Sequence, residues 1–132
     1  MKVWPPGREP LPPAAHSGRG VVPTRLRLGQ ARHQRPQSIK ELALELAPSQ
    51  WQTIEWRQGS NIILCSRFAR VRVRAAHRDH QRTQRRAEEW LLIEWPEGHK
   101  EPMKYWLSTL GQEVPLQRMV FETKMRWRIE RD

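Results

Sequence analysis

The chain has 132 residues, of which 37% are hydrophobic, and a formal net charge of +10 at pH 7. A single cysteine, Cys65, excludes an intrachain disulfide framework and favours a reducing compartment. No apolar run approaches the ~18 residues of a membrane-spanning helix, and the first residues lack the apolar segment of a signal peptide. We therefore expect a cytoplasmic protein of at most one small domain without membrane contact, and the net charge predicts a polyanionic partner or a basic tail.

The basic residues are concentrated in two blocks. Residues 1–40 and residues 66–86 each carry eight basic residues and one acidic residue, whereas residues 41–65 and 87–113 are net acidic. Alternating blocks of opposite charge predict surfaces with separate roles.

The amino-terminal third predicts little regular structure until a short helix. Residues 1–36 hold seven of the eleven prolines and four of the seven glycines, which predicts an irregular basic arm. Ser38-Ile39-Lys40-Glu41 then forms a capping box before an apolar face, so a helix is expected over about 39–46, ended by Pro48.

The middle of the chain predicts three or four antiparallel strands. One is expected over 51–56 and a clearer one over 68–75, where Val71 and Val73 alternate with Arg70, Arg72 and Arg74. The alternation places these arginines on one face, roughly 6–7 Å apart. Together with Arg67 they form either a row that binds phosphates or a solvated sheet face.

A hairpin follows, with strands over 90–95 and 103–109 and a Pro96-Glu97-Gly98 turn. The nearly continuous apolarity of its first strand predicts burial on both faces. Trp56, Trp95 and Trp106 either stack on unpaired bases or pack in the core, which is the commoner role of tryptophan.

Residues 114–132 predict a long helix that begins near Pro115. Two apolar stripes predict packing on two sides. The first contains Leu116, Met119, Val120, Thr123 and Trp127, and the second Phe121, Met125 and Ile129. Glu130 falls on the first stripe. It is either a helix-end glutamate, paired with Arg126 or exposed by fraying, or it is held with other carboxylates to bind a hard cation.

Arg126-Trp127-Arg128-Ile129-Glu130 resembles the Arg-Trp-x-Ile-Glu segment of DDE transposases of bacterial insertion sequences. In one large group of that family a Y-x2-R-x3-E-x6-K signature carries the last acid of the Asp-Asp-Glu triad. Arg126 and Glu130 match its Arg and Glu, whereas Thr123 stands where Tyr is usual, and the Lys position lies beyond Asp132. Trp4-Pro5-Pro6-Gly7-Arg8 and Glu94-Trp95-Pro96-Glu97-Gly98 are also similar to this family.

The resemblance implies an α+β fragment of a ribonuclease H-like catalytic domain. Residues 1–36 would be the arm and residues 37–132 a partial transposase domain, with a β insertion over about 51–110 and a glutamate-bearing helix over about 114–132. In the intact family enzyme, three carboxylates hold two Mg²⁺ ions that support DNA cleavage and strand transfer at transposon ends. Glu130 would be the metal ligand and Arg126 its catalytic neighbour, and the resemblance leaves a homodimer open.

The chain has only two aspartates, Asp79 and Asp132, and neither stands where the family's first two aspartates belong. We therefore expect a fragment that is inactive alone and binds Mg²⁺ poorly. The alternative is a small basic nucleic-acid-binding module without catalytic activity, which would use Arg67, Arg70, Arg72 and Arg74 with Trp95 and Trp106. An inert translated remnant is a third hypothesis.

Overall fold

The fold is α+β, with an antiparallel sheet and two α-helices. The computed structural model describes residues 1–58 and 62–131, and within them all side chains except those of Gln58 and residues 126–131. The strands are β1 (Lys2–Trp4), β2 (Gln37–Ser38), β3 (Gln52–Gln58), β4 (Ile62–Ala76), β5 (Glu88–Glu94) and β6 (Lys104–Ser108). The helices are α1 (Ile39–Glu45) and α2 (Leu116–Arg131), and short 3₁₀ turns occupy Arg32–Gln34, Pro48–Gln50 and Asp79–Gln81.

The chain divides into two compact units. The first unit comprises Met1–Leu42 and Arg72–Glu89, and the second comprises Ala43–Val71 and Trp90–Asp132. The strand order is β2-β1-β4-β5-β6, with β3 also paired to β4, so β4 and β5 each contribute residues to both units.

In the first unit, β1 pairs antiparallel with β2 and with the end of β4, where Val3 lies opposite Ala75. The predicted arm over 1–36 is therefore regular at its start, because Val3 and Trp4 are buried between two strands. A turn follows in which the Arg8 amide donates to the Pro5 carbonyl at 3.0 Å. Gly7 has a φ of 84°, the positive value that the third position of a type II turn requires. The rest of the arm has the 3₁₀ turn and one bridge, Leu11 to Arg27.

Helix α1 begins as the sequence predicts. The Ser38 hydroxyl accepts a hydrogen bond from the Glu41 amide at 3.1 Å, so the serine satisfies one of the free N–H groups of the first turn. The helix ends at Glu45, one residue before the predicted end and three before Pro48.

The second unit contains the main apolar core. Strands β3 and β4 pair from Gln52 opposite Phe68 to Gln58 opposite Ile62, and β5 and β6 form the predicted hairpin. The prediction that β5 is buried on both faces is confirmed, since three successive residues of that strand are fully buried: Leu91, Leu92 and Ile93. The core cluster consists of Ile54, Phe68, Leu92, Met119 and Val120.

Helix α2 packs on this core through one of its two predicted stripes. Met119 and Val120 are fully buried, whereas Phe121 of the second stripe is 49% exposed. The prediction of packing on two sides is therefore wrong at Phe121, whereas Met125 of the same stripe is half-buried. Along the described residues, neither helix combines the length and the apolar character needed to cross a membrane.

Candidate functional site

The predicted arginine row of β4, Arg70, Arg72 and Arg74, is held by partners within the protein. Arg70, in the second unit, donates from Nη1 to the Val114 carbonyl, and its Cζ lies 4.2 Å from the centroid of the Trp90 ring. Burial lowers the pKa of the Arg70 guanidinium below its ordinary value, because desolvation disfavours the charged form. The carbonyl and the ring supply compensating contacts with the cation.

Arg72 and Arg74, in the first unit, share one carboxylate. Arg72 donates from Nη2 to the Glu88 carbonyl at 3.2 Å, and Arg74 donates from Nη1 to the Arg86 carbonyl. The two carboxylate oxygens of Glu88 lie 3.6 Å from Arg72 Nε and 3.5 Å from Arg74 Nη2. The alternation of arginine with buried valine is as predicted, but each guanidinium is already oriented by a backbone carbonyl. Whether the row binds phosphates stays a prediction.

Arg67 and Trp95 lie together in the second unit. Arg67 donates from Nε to the Trp95 carbonyl at 3.2 Å, and its Cζ is 5.8 Å from the Trp95 ring centroid. Trp51 meets Trp95 edge-on, with centroids 5.6 Å apart and planes at 84°. An open cavity of about 260 Å³ is lined by these three residues with Leu46 and Pro48. Sequence reasoning did not single out Trp51, which precedes β3, because Trp95, the ring that it meets, lies far away in the sequence.

Trp56 and Trp106 pack against the apolar core of the second unit. The ammonium of Lys124 lies 4.8 Å from the Trp56 ring centroid and 5.2 Å from that of Trp106. Both rings therefore contact protein groups, which favours the core-packing interpretation, and neither is shown to meet a base.

The ion pair between Lys124 and Glu94 is the feature of α2 that the sequence did not reveal. Lys124 Nζ donates to Glu94 Oε1 at 2.8 Å, and the side chains are only 18% and 9% exposed. The available signal was the acid at the end of the apolar run Leu91-Leu92-Ile93, since a carboxylate in a buried strand needs a partner. Nothing local identified that partner, 30 residues away.

The predicted catalytic residues, Arg126 and Glu130, belong to α2, whose backbone extends to Arg131. Their side chains lie outside the described residues. The two interpretations of Glu130 therefore both stand. The helix leading to them is held by Lys124 and by the buried pair Met119 and Val120.

Asp79 has a structural environment rather than that of a metal ligand. It is buried, accepts a hydrogen bond from Trp4 Nε1 at 3.0 Å, and lies 3.9 Å from Arg86 Nε. Within the described part of the chain, no group of three His, Cys, Asp or Glu residues is placed to hold a metal ion. Since Mg²⁺ requires several oxygen ligands, these residues do not fit a two-metal centre.

Comparisons with protein-family models, with curated proteins and with solved structures found no match to this chain.

Proposed function

We propose that this chain is the glutamate-bearing part of a DDE transposase with a ribonuclease H-like catalytic domain, and that it does not cleave DNA by itself. The proposal is supported by the resemblance over Arg126 and Glu130, and by the order of elements along the chain. Antiparallel strands β3 to β6 precede a 16-residue helix that contains both residues, which is the order expected of a β insertion followed by the glutamate-bearing helix.

The observation that carries the proposal is the anchoring of α2. A residue that positions a metal ion must be held within about half an ångström of its working geometry, so its helix must be rigid. Met119 and Val120 bury one face of α2, and Lys124 pairs with Glu94 about 1.7 helical turns before Glu130. These contacts suit a helix that presents a carboxylate from its carboxy-terminal half.

The expected lack of activity follows from the acidic residues that the chain does contain. A two-metal centre for phosphoryl transfer needs several carboxylates around one point. Asp79 is committed to Trp4 and Arg86, and no acidic cluster exists among the described residues. Glu130 would therefore depend on carboxylates supplied by other residues of an intact enzyme.

The test begins with the DNA on both sides of the coding sequence. We expect strand-forming segments that bear two aspartates upstream, and a lysine codon seven positions after Glu130 downstream, in any frame. A protein extended to include them should join transposon ends in the presence of Mg²⁺, and Glu130→Gln should abolish joining. The 132-residue chain should show no cleavage under the same conditions.

A matched control is available on the same helix. Glu122 is also on α2 and is paired with Arg118 at 3.1 Å on the exposed side. Glu122→Gln makes the same chemical change and should leave joining intact. If Glu130→Gln and Glu122→Gln behave alike, or if flanking DNA encodes neither aspartates nor lysine, the proposal is wrong.

A basic nucleic-acid-binding module is the second candidate function, favoured by the net charge of +10. The β4 guanidinium groups are oriented by carbonyls, and Arg25 of the amino-terminal arm is exposed, so these arginines are the candidate phosphate contacts. Binding to DNA should then weaken steeply with salt and show little sequence preference, which a fluorescence anisotropy titration at two salt concentrations measures. Affinity that is independent of salt would exclude this function.

A further inference from the structure

A second cavity, in the first unit, lies beside the Pro5-Pro6-Gly7-Arg8 turn. It has a volume of about 420 Å³, and the arginines on its walls are Arg8, Arg72 and Arg74. Glu9 and Glu88 are the acidic residues of the lining. The volume is sufficient for a small ligand that carries a phosphate group.

Two of the arginines are held in place before any ligand arrives. Backbone carbonyls of Glu88 and Arg86 accept hydrogen bonds from Arg72 and Arg74, so these long side chains have already lost rotamer freedom. A guanidinium that is oriented in advance binds an anion with less entropic cost than a free surface arginine.

The Glu88 carboxylate, which lies between Arg72 and Arg74, makes long contacts with both arginines. Glu88 contacts Arg72 and Arg74 at 3.6 and 3.5 Å, whereas a strong charged hydrogen bond of this kind measures about 2.7–2.9 Å. Its side chain is 41% exposed, so it can swing into solvent at little cost. A phosphate, with more oxygens and as much or more charge, meets two guanidinium groups better than one stretched carboxylate does.

The third arginine adds positive charge that the cavity does not neutralise. Within the described residues, the Arg8 side chain has no hydrogen-bonding or ion-pair partner, although it is half-buried. The other acidic residue of the lining is engaged elsewhere, because Glu9 Oε2 lies 3.0 Å from Arg85 Nη1. Arg8 therefore adds a guanidinium without an ionic partner of its own to a cavity lining in which Arg72 and Arg74 share the Glu88 carboxylate.

We propose that this cavity is a phosphate-binding site, in which Arg8, Arg72 and Arg74 bind a phosphate group and Glu88 is an internal anion that the ligand displaces. The site is distinct from α2 and stands whether or not Glu130 is a catalytic carboxylate. The phosphate could belong to a free phosphate compound or to a nucleic-acid strand, and the test separates these sources.

The experiment compares three variants of the full chain by isothermal titration calorimetry. Arg8→Gln removes a guanidinium that has no hydrogen-bonding or ion-pair partner among the described residues, and it should weaken binding about fivefold, the ratio that corresponds to about 1 kcal/mol. Glu88→Gln removes the competing charge while it keeps an acceptor for the two arginines, and it should tighten binding by a similar factor. Arg19→Gln, an exposed arginine outside the cavity, makes the same change of net charge as Arg8→Gln.

The ligands are inorganic pyrophosphate and a single-stranded oligonucleotide, each titrated at fixed ionic strength. Opposite effects of Arg8→Gln and Glu88→Gln on pyrophosphate, absent in Arg19→Gln, support a site for a free phosphate compound. The same pattern with the oligonucleotide alone supports a site for a nucleic-acid strand. If Arg8→Gln and Arg19→Gln are indistinguishable with both ligands, or if Glu88→Gln does not tighten either, there is no phosphate site here.

Discussion

The buried ion pair between Lys124 and Glu94 should contribute more to stability than the exposed pair between Arg118 and Glu122. Replacing Lys124 by Met keeps a side chain of similar length and removes only the ammonium group. Glu94 would then remain in the interior, with its 9% exposed side chain, without the ammonium group that pairs with it at 2.8 Å. Removal of one partner from a buried pair typically costs about 3–5 kcal/mol, because the other charge is left desolvated.

The aromatic rings around Lys124 add to this cost. Its ammonium lies 4.8, 5.2 and 5.9 Å from the centroids of Trp56, Trp106 and Phe68. Such contacts contribute about 0.5–1 kcal/mol at exposed sites and more when desolvated. We therefore expect Lys124→Met to lower the free energy of unfolding by about 4–6 kcal/mol, a large part of the total for a domain of this size.

A double variant and an exposed pair provide the comparison. Glu94→Leu combined with Lys124→Met replaces both charges with apolar groups, and it should lie within about 1 kcal/mol of the wild-type chain. Arg118 and Glu122 form an i,i+4 pair on the same helix, 69% and 36% exposed. Breaking that pair with Arg118→Gln should cost only about 0.3–0.5 kcal/mol.

Urea unfolding followed by tryptophan fluorescence measures these differences, since Trp56 and Trp106 lie beside the pair. The reasoning fails if Lys124→Met costs less than about 1 kcal/mol, or if the double variant is no more stable than Lys124→Met alone.

The remaining predictions use the same unfolding assay. Ser38→Ala should cost about 1 kcal/mol, because it removes the cap of α1, and an unchanged midpoint would contradict the cap. Leu92→Ala should lower the free energy of unfolding by about 2–5 kcal/mol, because it leaves a cavity in the core. Leu44→Ala, at an exposed position, should change it by no more than about 0.5 kcal/mol. Equal effects of the two variants would show that Leu92 is not a core residue. Trp4→Phe should cost about 1–3 kcal/mol because it takes the indole N–H away from buried Asp79, and a neutral result would mean that this hydrogen bond is not formed.

Much of the secondary structure was predictable because its signals are local. The cap at Ser38, the apolar run Leu91-Leu92-Ile93 and the turn before β6 depend on residues within a few positions of each other. The α+β class followed from these elements, and helix α2 from its periodicity.

The departures from prediction concern strands whose existence depends on a partner. Three residues between Met1 and a proline-rich segment carry almost no strand signal, yet β1 forms because Val3 pairs with both Gln37 and Ala75. Strand β4 begins six residues earlier than predicted, at Ile62, because its first half pairs with β3. Pairing of this kind joins segments far apart in sequence.

In the candidate sites, too, local patterns were predictable and contacts between distant segments were not. Alternation alone placed Arg70, Arg72 and Arg74 on one side of β4, because successive side chains of a strand point to opposite faces. The groups that engage them, the Val114 and Arg86 carbonyls and the Glu88 carboxylate, come from elsewhere in the chain.

The sequence by itself determined the net charge, the single cysteine and the elements with strong local patterns. It also determined the resemblance of residues 126–130 to a segment of DDE transposases. Only the tertiary structure decided that Lys124 meets Glu94, that Asp79 is bound by Trp4, and that Arg8 shares a cavity with Arg72 and Arg74. The physical reason is that periodicity determines which way a side chain points, whereas the partner it meets depends on how distant segments pack.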